Sequence, residues 1–373
     1  MKNIVVLGAG LVGSAIIKDM ATDYSVLAID NDNDKLMQFE NLSNIDCLKT
    51  DITDYANFKS AVKDVDLIIG ALPGFLGYQS VQYAIQAGKN MVDISFFPED
   101  PFEIDQMAKE KSVTIITDCG IAPGMGNIIL GHYISKMEVE NFRCLVGGLP
   151  VKRELPWQYK AVFSPIDVIE EYTRPARYVE NGQVITRSAL SDPENIHFDD
   201  IGTLTAFNSD GLRSLLSTCK VPNMIEKTLR YPGTIEYLQQ LRESGFFSEK
   251  KVLVNNIPVK AIDFTAALVF PQWKLQKNEK EFTLMQIELS GWLNKEWKSI
   301  RYNLLDYTDL QKGISSMART TGYTASAVAN IVLAGSFIQT GINPPEYVGM
   351  KEGLLQYCLN YLSERGVNFK ISE

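Results

Sequence analysis

The stretch Asn3-Ile4-Val5-Val6-Leu7-Gly8-Ala9-Gly10-Leu11-Val12-Gly13 decides the fold of this chain. A short apolar strand breaks into a G-x-G-x-x-G turn, and the pattern predicts that a helix follows from Ser14. The first glycine permits the tight turn, the second lets the backbone approach a pyrophosphate, and the third lets the helix pack against the strand. We therefore predict that the helix start binds a dinucleotide through Gly8, Gly10, Leu11, Val12 and Gly13.

An acidic residue, Asp30, ends the next strand about 20 residues beyond the turn. Dinucleotide-binding units carry an Asp or Glu at this distance from the glycine turn. A carboxylate at this position hydrogen-bonds the ribose hydroxyls of the adenosine and repels the 2′-phosphate of NADP. The next residue, Asn31, supplies no compensating cation. The sequence therefore predicts NAD as the cofactor.

Strand and helix signals alternate as far as residue 117, which predicts a doubly wound parallel sheet. In such sheets the ligand binds at the carboxyl ends of the strands. Two loops at that edge supply further predicted cofactor contacts: Asp51 and Ile52 after the third strand, and Ala71, Leu72 and Pro73 after the fourth.

Beyond Gly120 the alternation stops, and strand signals follow one another with helices between them. We expect, for example, a strand at 142–146 that ends in a turn at 147–150, and another strand at 260–269. The chain thus reads as an α/β protein with three parts. They are a Rossmann domain at 1–122, an α+β substrate and dimerisation domain with a mixed or antiparallel sheet at 123–317, and C-terminal helices at 318–373 that pack back on the first domain.

The composition is that of a globular protein, with 45% hydrophobic and 22% charged residues among 373 and a formal net charge of −9. No Lys/Arg cluster is present, which argues against nucleic acid or an anionic membrane as a partner. The N-terminus lacks the features of a secretory signal, so we expect a cytoplasmic protein. Five cysteines without a CxxC pair and two histidines argue against a zinc site.

Further motifs are specific enough to indicate a family. They are Ala71-Leu72-Pro73-Gly74-Phe75-Leu76-Gly77, Val92-Asp93-Ile94-Ser95-Phe96, Ala122-Pro123-Gly124-Met125 with Asn127, Val146-Gly147-Gly148-Leu149-Pro150, Glu171-Tyr172-Thr173-Arg174-Pro175-Ala176-Arg177, Ser209-Asp210-Gly211-Leu212-Arg213, Leu229-Arg230-Tyr231-Pro232-Gly233 and Ser316-Met317-Ala318-Arg319-Thr320-Thr321-Gly322. With the glycine turn, they resemble the saccharopine dehydrogenase-like oxidoreductases, and most closely the L-lysine 6-dehydrogenases of that group.

The resemblance implies a homodimer that oxidises an amine with NAD. In lysine 6-dehydrogenases the ε-carbon of L-lysine gives up a hydride, and the imine hydrolyses to 2-aminoadipate 6-semialdehyde, which cyclises, and ammonia. Relatives of the saccharopine reductase type instead join an amino acid to an aldehyde or keto acid through a reduced imine. A third alternative, from another class, is a non-catalytic NAD-binding sensor or scaffold.

Amine oxidation requires a neutral amine, so a carboxylate is expected to take the proton from the ammonium group. Asp93 at the end of the fifth strand is the first candidate, and Asp118 is the second. Cys119 either lines the site or is a buried, inert thiol. The α-carboxylate of the substrate calls for a fork-shaped cation, for which the candidates are Arg213, Arg230 and Arg319 unless they are solvated surface residues.

Overall fold

The computed structural model describes residues 2–276 and 279–373. The chain divides into two compact units. The first consists of Met1–Lys136 and Met317–Asn368, and the second of Met137–Ser316 and Phe369–Glu373. Among the described residues, no helix combines the length and the apolar character that crossing a membrane requires.

The strands of the described residues are β1 Asn3–Leu7, β2 Ser25–Asp30, β3 Ile45–Lys49, β4 Leu67–Gly70, β5 Met91–Asp93, β6 Thr114–Ile116, β7 Glu138–Pro150, β8 Ala176–Glu180, β9 Gln183–Arg187, β10 Glu194–Phe198, β11 Gly202–Asn208, β12 Asn223–Arg230, β13 Lys251–Val254, β14 Ile257–Lys260, β15 Glu281–Leu293, β16 Glu296–Tyr307, β17 Gly341–Asn343 and β18 Phe369–Ser372.

The α-helices are α1 Leu11–Met20, α2 Asn33–Leu36, α3 Tyr55–Ala61, α4 Gly74–Gln86, α5 Asp105–Glu110, α6 Met125–Ile134, α7 Pro165–Thr173, α8 Leu215–Thr218, α9 Thr234–Glu243, α10 Ala261–Trp273, α11 Ser316–Leu333, α12 Pro345–Gly349 and α13 Leu354–Glu364. Two short 3₁₀ helices, Met37–Phe39 and Pro101–Ile104, complete the regular structure of the described residues.

A seven-stranded parallel sheet forms the centre of the first unit, in the order β17-β6-β5-β4-β1-β2-β3. The strand order reverses at β1, which pairs with β2 on one side and β4 on the other. This arrangement confirms the predicted doubly wound sheet. It also places the ends of β1 and β4 side by side, where ligands bind in sheets of this kind.

The first unit extends to Lys136, past the boundary expected at residue 122. Its last helix before that point, α6, packs closely on α12. A Cβ atom on Gly131 would lie 2.1 Å from the carbonyl oxygen of Glu346, and one on Gly349 would lie 2.0 Å from that of Ile128. The C-terminal segment also differs from the expectation of helices alone, because β17 joins the first sheet and β18 pairs with β16 of the second unit.

The second unit is built on a mixed sheet in the order β10-β11-β12-β7-β15-β16-β18, with β8 and β9 attached to β12. Only the β12 and β7 pairing is parallel among the described strands of this sheet. The α+β expectation with a mixed sheet is therefore confirmed. A separate hairpin consists of β13 and β14.

Two local expectations for this unit were wrong. The predicted turn at 147–150 is the continuation of β7, because Gly147 lets β12 approach closely: a Cβ there would lie 2.8 Å from the Cβ of Leu229. The predicted strand at 260–269 is the start of α10. Its buried residues Thr265, Val269 and Trp273 recur every four positions, which is helical spacing.

Candidate functional site

The glycine turn after β1 is shaped by close backbone contacts. Gly8 has φ +96°, and a Cβ on it would lie 2.4 Å from the carbonyl oxygen of Ala71. A Cβ on Gly13 would lie 1.9 Å from the carbonyl oxygen of Gly8. Around Gly10, by contrast, a Cβ would meet no described atom within 4 Å. The turn is thus closed at Gly8 and Gly13 and open at Gly10.

The open position lies at the start of α1. Gly10 is the N-cap residue, and no side chain of the described residues caps the helix there. Leu11, the first helical residue, is 49% exposed, and Val12 is half-buried. The first backbone N–H groups of a helix have no partner within the helix and favour anions. Together with the space at Gly10, this donor set fits a pyrophosphate.

Asp30 lies beside the turn and is 8% exposed. Its Oδ2 accepts a hydrogen bond from the backbone N–H of Ala9 at 2.8 Å. Its Oδ1 accepts one from the N–H of Asp32 at 2.9 Å and lies 3.5 Å from Nζ of Lys35. The carboxylate therefore shapes the glycine turn as well as lying at the end of β2, where a ribose would bind.

The other predicted cofactor contacts lie on two loops of the same sheet. Ala71 donates its N–H to the carbonyl oxygen of Leu7 at 2.8 Å, which holds the Ala71, Leu72 and Pro73 loop beside the glycine turn. Asp51 follows β3 and accepts bonds from the N–H and hydroxyl of Thr53, which lower the pKa of its carboxyl. Ile52, next to it, packs partly into the core of the unit.

The predicted bases Asp93 and Asp118 come together with Cys119, all at most 3% exposed. The Oδ2 and Oδ1 atoms of Asp93 accept bonds from the N–H and the hydroxyl of Ser95, each at 2.9 Å. Burial raises the pKa of Asp93 well above its ordinary value, and the nearby Asp118 raises it further. Burial also raises the pKa of the Cys119 thiol, so the thiolate is disfavoured there.

Arg319 belongs to the first unit and is 7% exposed. Its guanidinium donates to the carbonyl oxygen of Arg365 and lies 6.0 Å from the ring centre of Tyr323. Its predicted role in substrate binding stays a prediction.

Arg230 is the centre of a buried cluster in the second unit and is 2% exposed. Its Nε donates to the hydroxyl of Tyr172 at 2.9 Å, and its Nη2 to Oε2 of Glu171 at 2.6 Å. Its Nη1 donates to the carbonyl oxygen of Leu229 at 2.9 Å. The guanidinium also lies 4.5 Å from the ring centre of Tyr159. Arg230 thus anchors the neighbouring acid rather than presenting a full fork to a ligand.

Arg213 belongs to the same unit, has a left-handed backbone conformation (φ +51°), and is 8% exposed. Burial and the neighbouring Arg213 lower the pKa of Arg174, so the two cations lie close together. Arg177 makes a bidentate ion pair with Asp210, both contacts being 2.8 Å. Arg213 and Arg230 therefore lie among acids and cations of one unit.

Sequence reasoning missed the acidic members of this group: Glu171, Asp210 and Glu226. A signal for one was present, because Glu226 lies on the buried face of β12, where strand alternation predicts an apolar side chain. Among the described residues, no three His, Cys, Asp or Glu side chains gather as metal ligands would.

Comparison with known families gives two matches along the chain. A model described as the saccharopine dehydrogenase NADP binding domain matches residues 4–116. A model described as the saccharopine dehydrogenase C-terminal domain matches residues 120–367.

Relatives with curated names include an alpha-aminoadipic semialdehyde synthase from Mus musculus, 26% identical over 67% of this chain. This chain spans only 29% of that protein, and 25% of a synthase of the same name from Arabidopsis thaliana. The saccharopine dehydrogenase [NADP(+), L-glutamate-forming] of Saccharomyces cerevisiae is 20% identical, with 92% of this chain and 94% of the relative aligned. A solved structure of the L-Glu forming yeast saccharopine dehydrogenase has the same fold, with a TM-score of 0.80, 19% identity and coverage of 100% and 99%.

Proposed function

This chain belongs to the saccharopine dehydrogenase family, and from that premise we propose that it is an NAD-dependent dehydrogenase of a side-chain amine, most specifically L-lysine 6-dehydrogenase. The products would be 2-aminoadipate 6-semialdehyde, which cyclises, ammonia and NADH. The motifs that resemble lysine 6-dehydrogenases support the substrate, and Asp30 is the observation that carries the proposal.

Asp30 carries it because its carboxylate argues for NAD, whereas the family model that matches residues 4–116 is described for NADP. The yeast relative is named for NADP(+) and for forming L-glutamate. Here the carboxylate of Asp30 lies beside the glycine turn, and repulsion by Asp30 would disfavour a 2′-phosphate. The half-exposed Lys35 is already paired with that carboxylate.

When bound, NAD would supply the hydride acceptor. The chain has to bind the substrate, hold its reacting carbon still and accept the proton that the ammonium loses, since a free lysine ammonium has a pKa near 10.4. Asp93 and then Asp118 stay our proposed bases. Asp93 is completely buried and held by Ser95, so it also fixes the turn after β5.

The base proposal predicts that Asp93→Asn lowers kcat by about 100-fold or more at neutral pH, since general base catalysis contributes on that order. The loss should shrink as the pH approaches 10, where the amine is neutral without help. A pH profile of kcat that is merely lowered by a constant factor would point to a structural role for Asp93 instead.

We further propose a homodimer that acts in the cytoplasm. The cysteines are all free thiols, and four of the five are buried, which suits a reducing compartment. Light scattering of the purified chain would measure the mass of the assembly against the 41.7 kDa of one chain.

The experiment that tests the function is absorbance at the NADH band, with NAD and L-lysine at alkaline pH. The expected result is NADH formed in equal amount with ammonia. If no single amino acid yields NADH from NAD, the alternative is a saccharopine-type reductase. NADH would then be consumed with an amino acid together with an aldehyde or keto acid. If the protein binds the cofactor but catalyses neither reaction, the remaining alternative is a non-catalytic NAD-binding sensor or scaffold.

A further inference from the structure

Glu226 is a buried acid that the chemistry above does not use. It lies on β12, and Thr228 and Arg230, two and four residues further along, share its face of the sheet. Only 7% of Glu226 is exposed. A Cβ on Gly211 would lie 0.8 Å from its Oε2, so this carboxylate lies directly against bare backbone. Glycine at 211 is what makes room for it.

One oxygen of Glu226 has a protein partner and the other does not. Oε1 accepts a bond from the hydroxyl of Ser209 at 3.3 Å, and that hydroxyl accepts one from Thr228 at 2.8 Å. Oε2 is buried and has no hydrogen-bond partner in the described parts of the chain, 2–276 and 279–373. A buried carboxylate oxygen without a partner is costly, which makes it a feature to be explained.

The neighbouring acids differ from Glu226 in one respect. Glu171 is paired with Arg230 and Asp210 with Arg177, so each has its own guanidinium. Within the described residues, Glu226 forms no such ion pair. The cations Arg174 and Arg213 lie close to each other, and Asp210 lies near Arg174.

We propose that Glu226 binds the α-ammonium group of an amino-acid substrate, and that this ammonium is the missing partner of Oε2. An ammonium carries three donors and one positive charge, which match a carboxylate with a free oxygen. The inference rests on the proposed function in so far as the substrate is an amino acid.

Proton release is a signature of this role. Burial, followed by the nearby Glu171, raises the pKa of Glu226 from 4.5 to about 8. The titratable groups that face it are Glu171 on α7, Asp210 in the loop before α8, and Cys144 on β7, whose thiol pKa is itself raised by burial and by Glu226. At pH 7 the free protein holds a proton on Glu226, and an arriving ammonium would displace about one proton.

The test is calorimetric titration of the full-length chain with L-lysine and with 6-aminohexanoate, which keeps the ε-amine and the carboxylate but lacks the α-amino group. The wild type should bind L-lysine at least about tenfold more tightly, as a hydrogen bond between charged groups provides. Titrations in two buffers of different ionisation enthalpy should give about one proton released at pH 7.

Two substitutions of Glu226 test whether its carboxylate causes the preference for L-lysine. Glu226→Gln keeps the shape and removes the charge, so the preference for L-lysine and the proton release should both disappear. Glu226→Asp, a second variant, keeps the charge and should retain part of the preference. Glu288→Gln is the matched control: Glu288 pairs with Arg301 at 2.6 Å, on the opposite face of the same sheet. It should behave as the wild type.

A preference that survives in Glu226→Gln, or wild-type binding without proton release, would overturn the inference. The number of protons released is measured on the wild type, so this part of the test holds even if a variant misfolds. If L-lysine does not bind, the same comparison is made between L-glutamate and glutarate, which lacks the α-amino group. The inference fails if neither amino acid is preferred over its deaminated analogue. A Glu226-dependent preference without NADH production would reject only the proposed dehydrogenase.

Discussion

At the scale of single residues, Gly10 and Gly13 differ in what an added methyl group would meet. Gly10→Ala places it in open space, so the melting temperature should stay within about 2 °C of the wild type while NAD affinity falls at least tenfold. Gly13→Ala drives it into the carbonyl oxygen of Gly8 and should lower stability by about 2–4 kcal/mol. Thermal unfolding and NADH fluorescence titration measure the two effects, and equal losses of stability would contradict this division.

Asp30 decides between the two nicotinamide cofactors at the same scale. Asp30→Ser removes the charge and keeps a hydroxyl that can accept the N–H of Ala9, so the ratio of kcat/KM for NAD over NADP should fall by about 100-fold. Asp32→Ser is the control, because that exposed neighbour caps α2 without touching the turn. A wild type that prefers NADP would show that Asp30 does not select the cofactor.

At the scale of elements, the first unit depends on the contact between α6 and α12. Alanine is a better helix former than glycine, by about 1 kcal/mol, yet Gly349→Ala should destabilise the protein by about 2–4 kcal/mol. The reason is the 2.0 Å approach of its Cβ to the backbone of Ile128, which cannot yield without separating the helices. The exposed Gln356→Ala on α13 should change the unfolding free energy by less than about 0.5 kcal/mol. Similar results for both would reject the close contact.

At the scale of the whole molecule, Glu226 gives folding a pH dependence. Its pKa is about 8 when folded and 4.5 when not, so the folded chain binds the additional proton between these values. Its contribution to stability is complete below pH 4.5 and falls as pH rises to 8, by about 1.4 kcal/mol per pH unit. Glu226→Gln should therefore gain stability relative to the wild type from pH 5 to 8. Urea unfolding at each pH measures the difference, and a constant difference would exclude this titration.

The first 120 residues were the most predictable part of the fold. Each short apolar strand there is followed by its helix and then pairs in parallel with a neighbour, so local periodicity predicts the sheet. The strand β17 escaped prediction because it has three residues and pairs with β6, more than 220 residues away in the sequence. The continuation of β7 through Gly147 escaped because a glycine pair signals a turn unless a neighbouring strand needs the space.

The sequence by itself determined the glycine turn, the acid at Asp30, the parallel sheet and the family, because these depend on residues close together in the chain and on spacings that backbone geometry requires. Only the tertiary structure decided that Arg230 is held by Glu171 and Tyr172 and that Arg319 is held by Arg365. It also decided that, in the part of the chain that the structure describes, Oε2 of Glu226 has no hydrogen-bond partner. Burial and pairing depend on side chains brought together from distant segments, and no local pattern specifies which charge finds a partner.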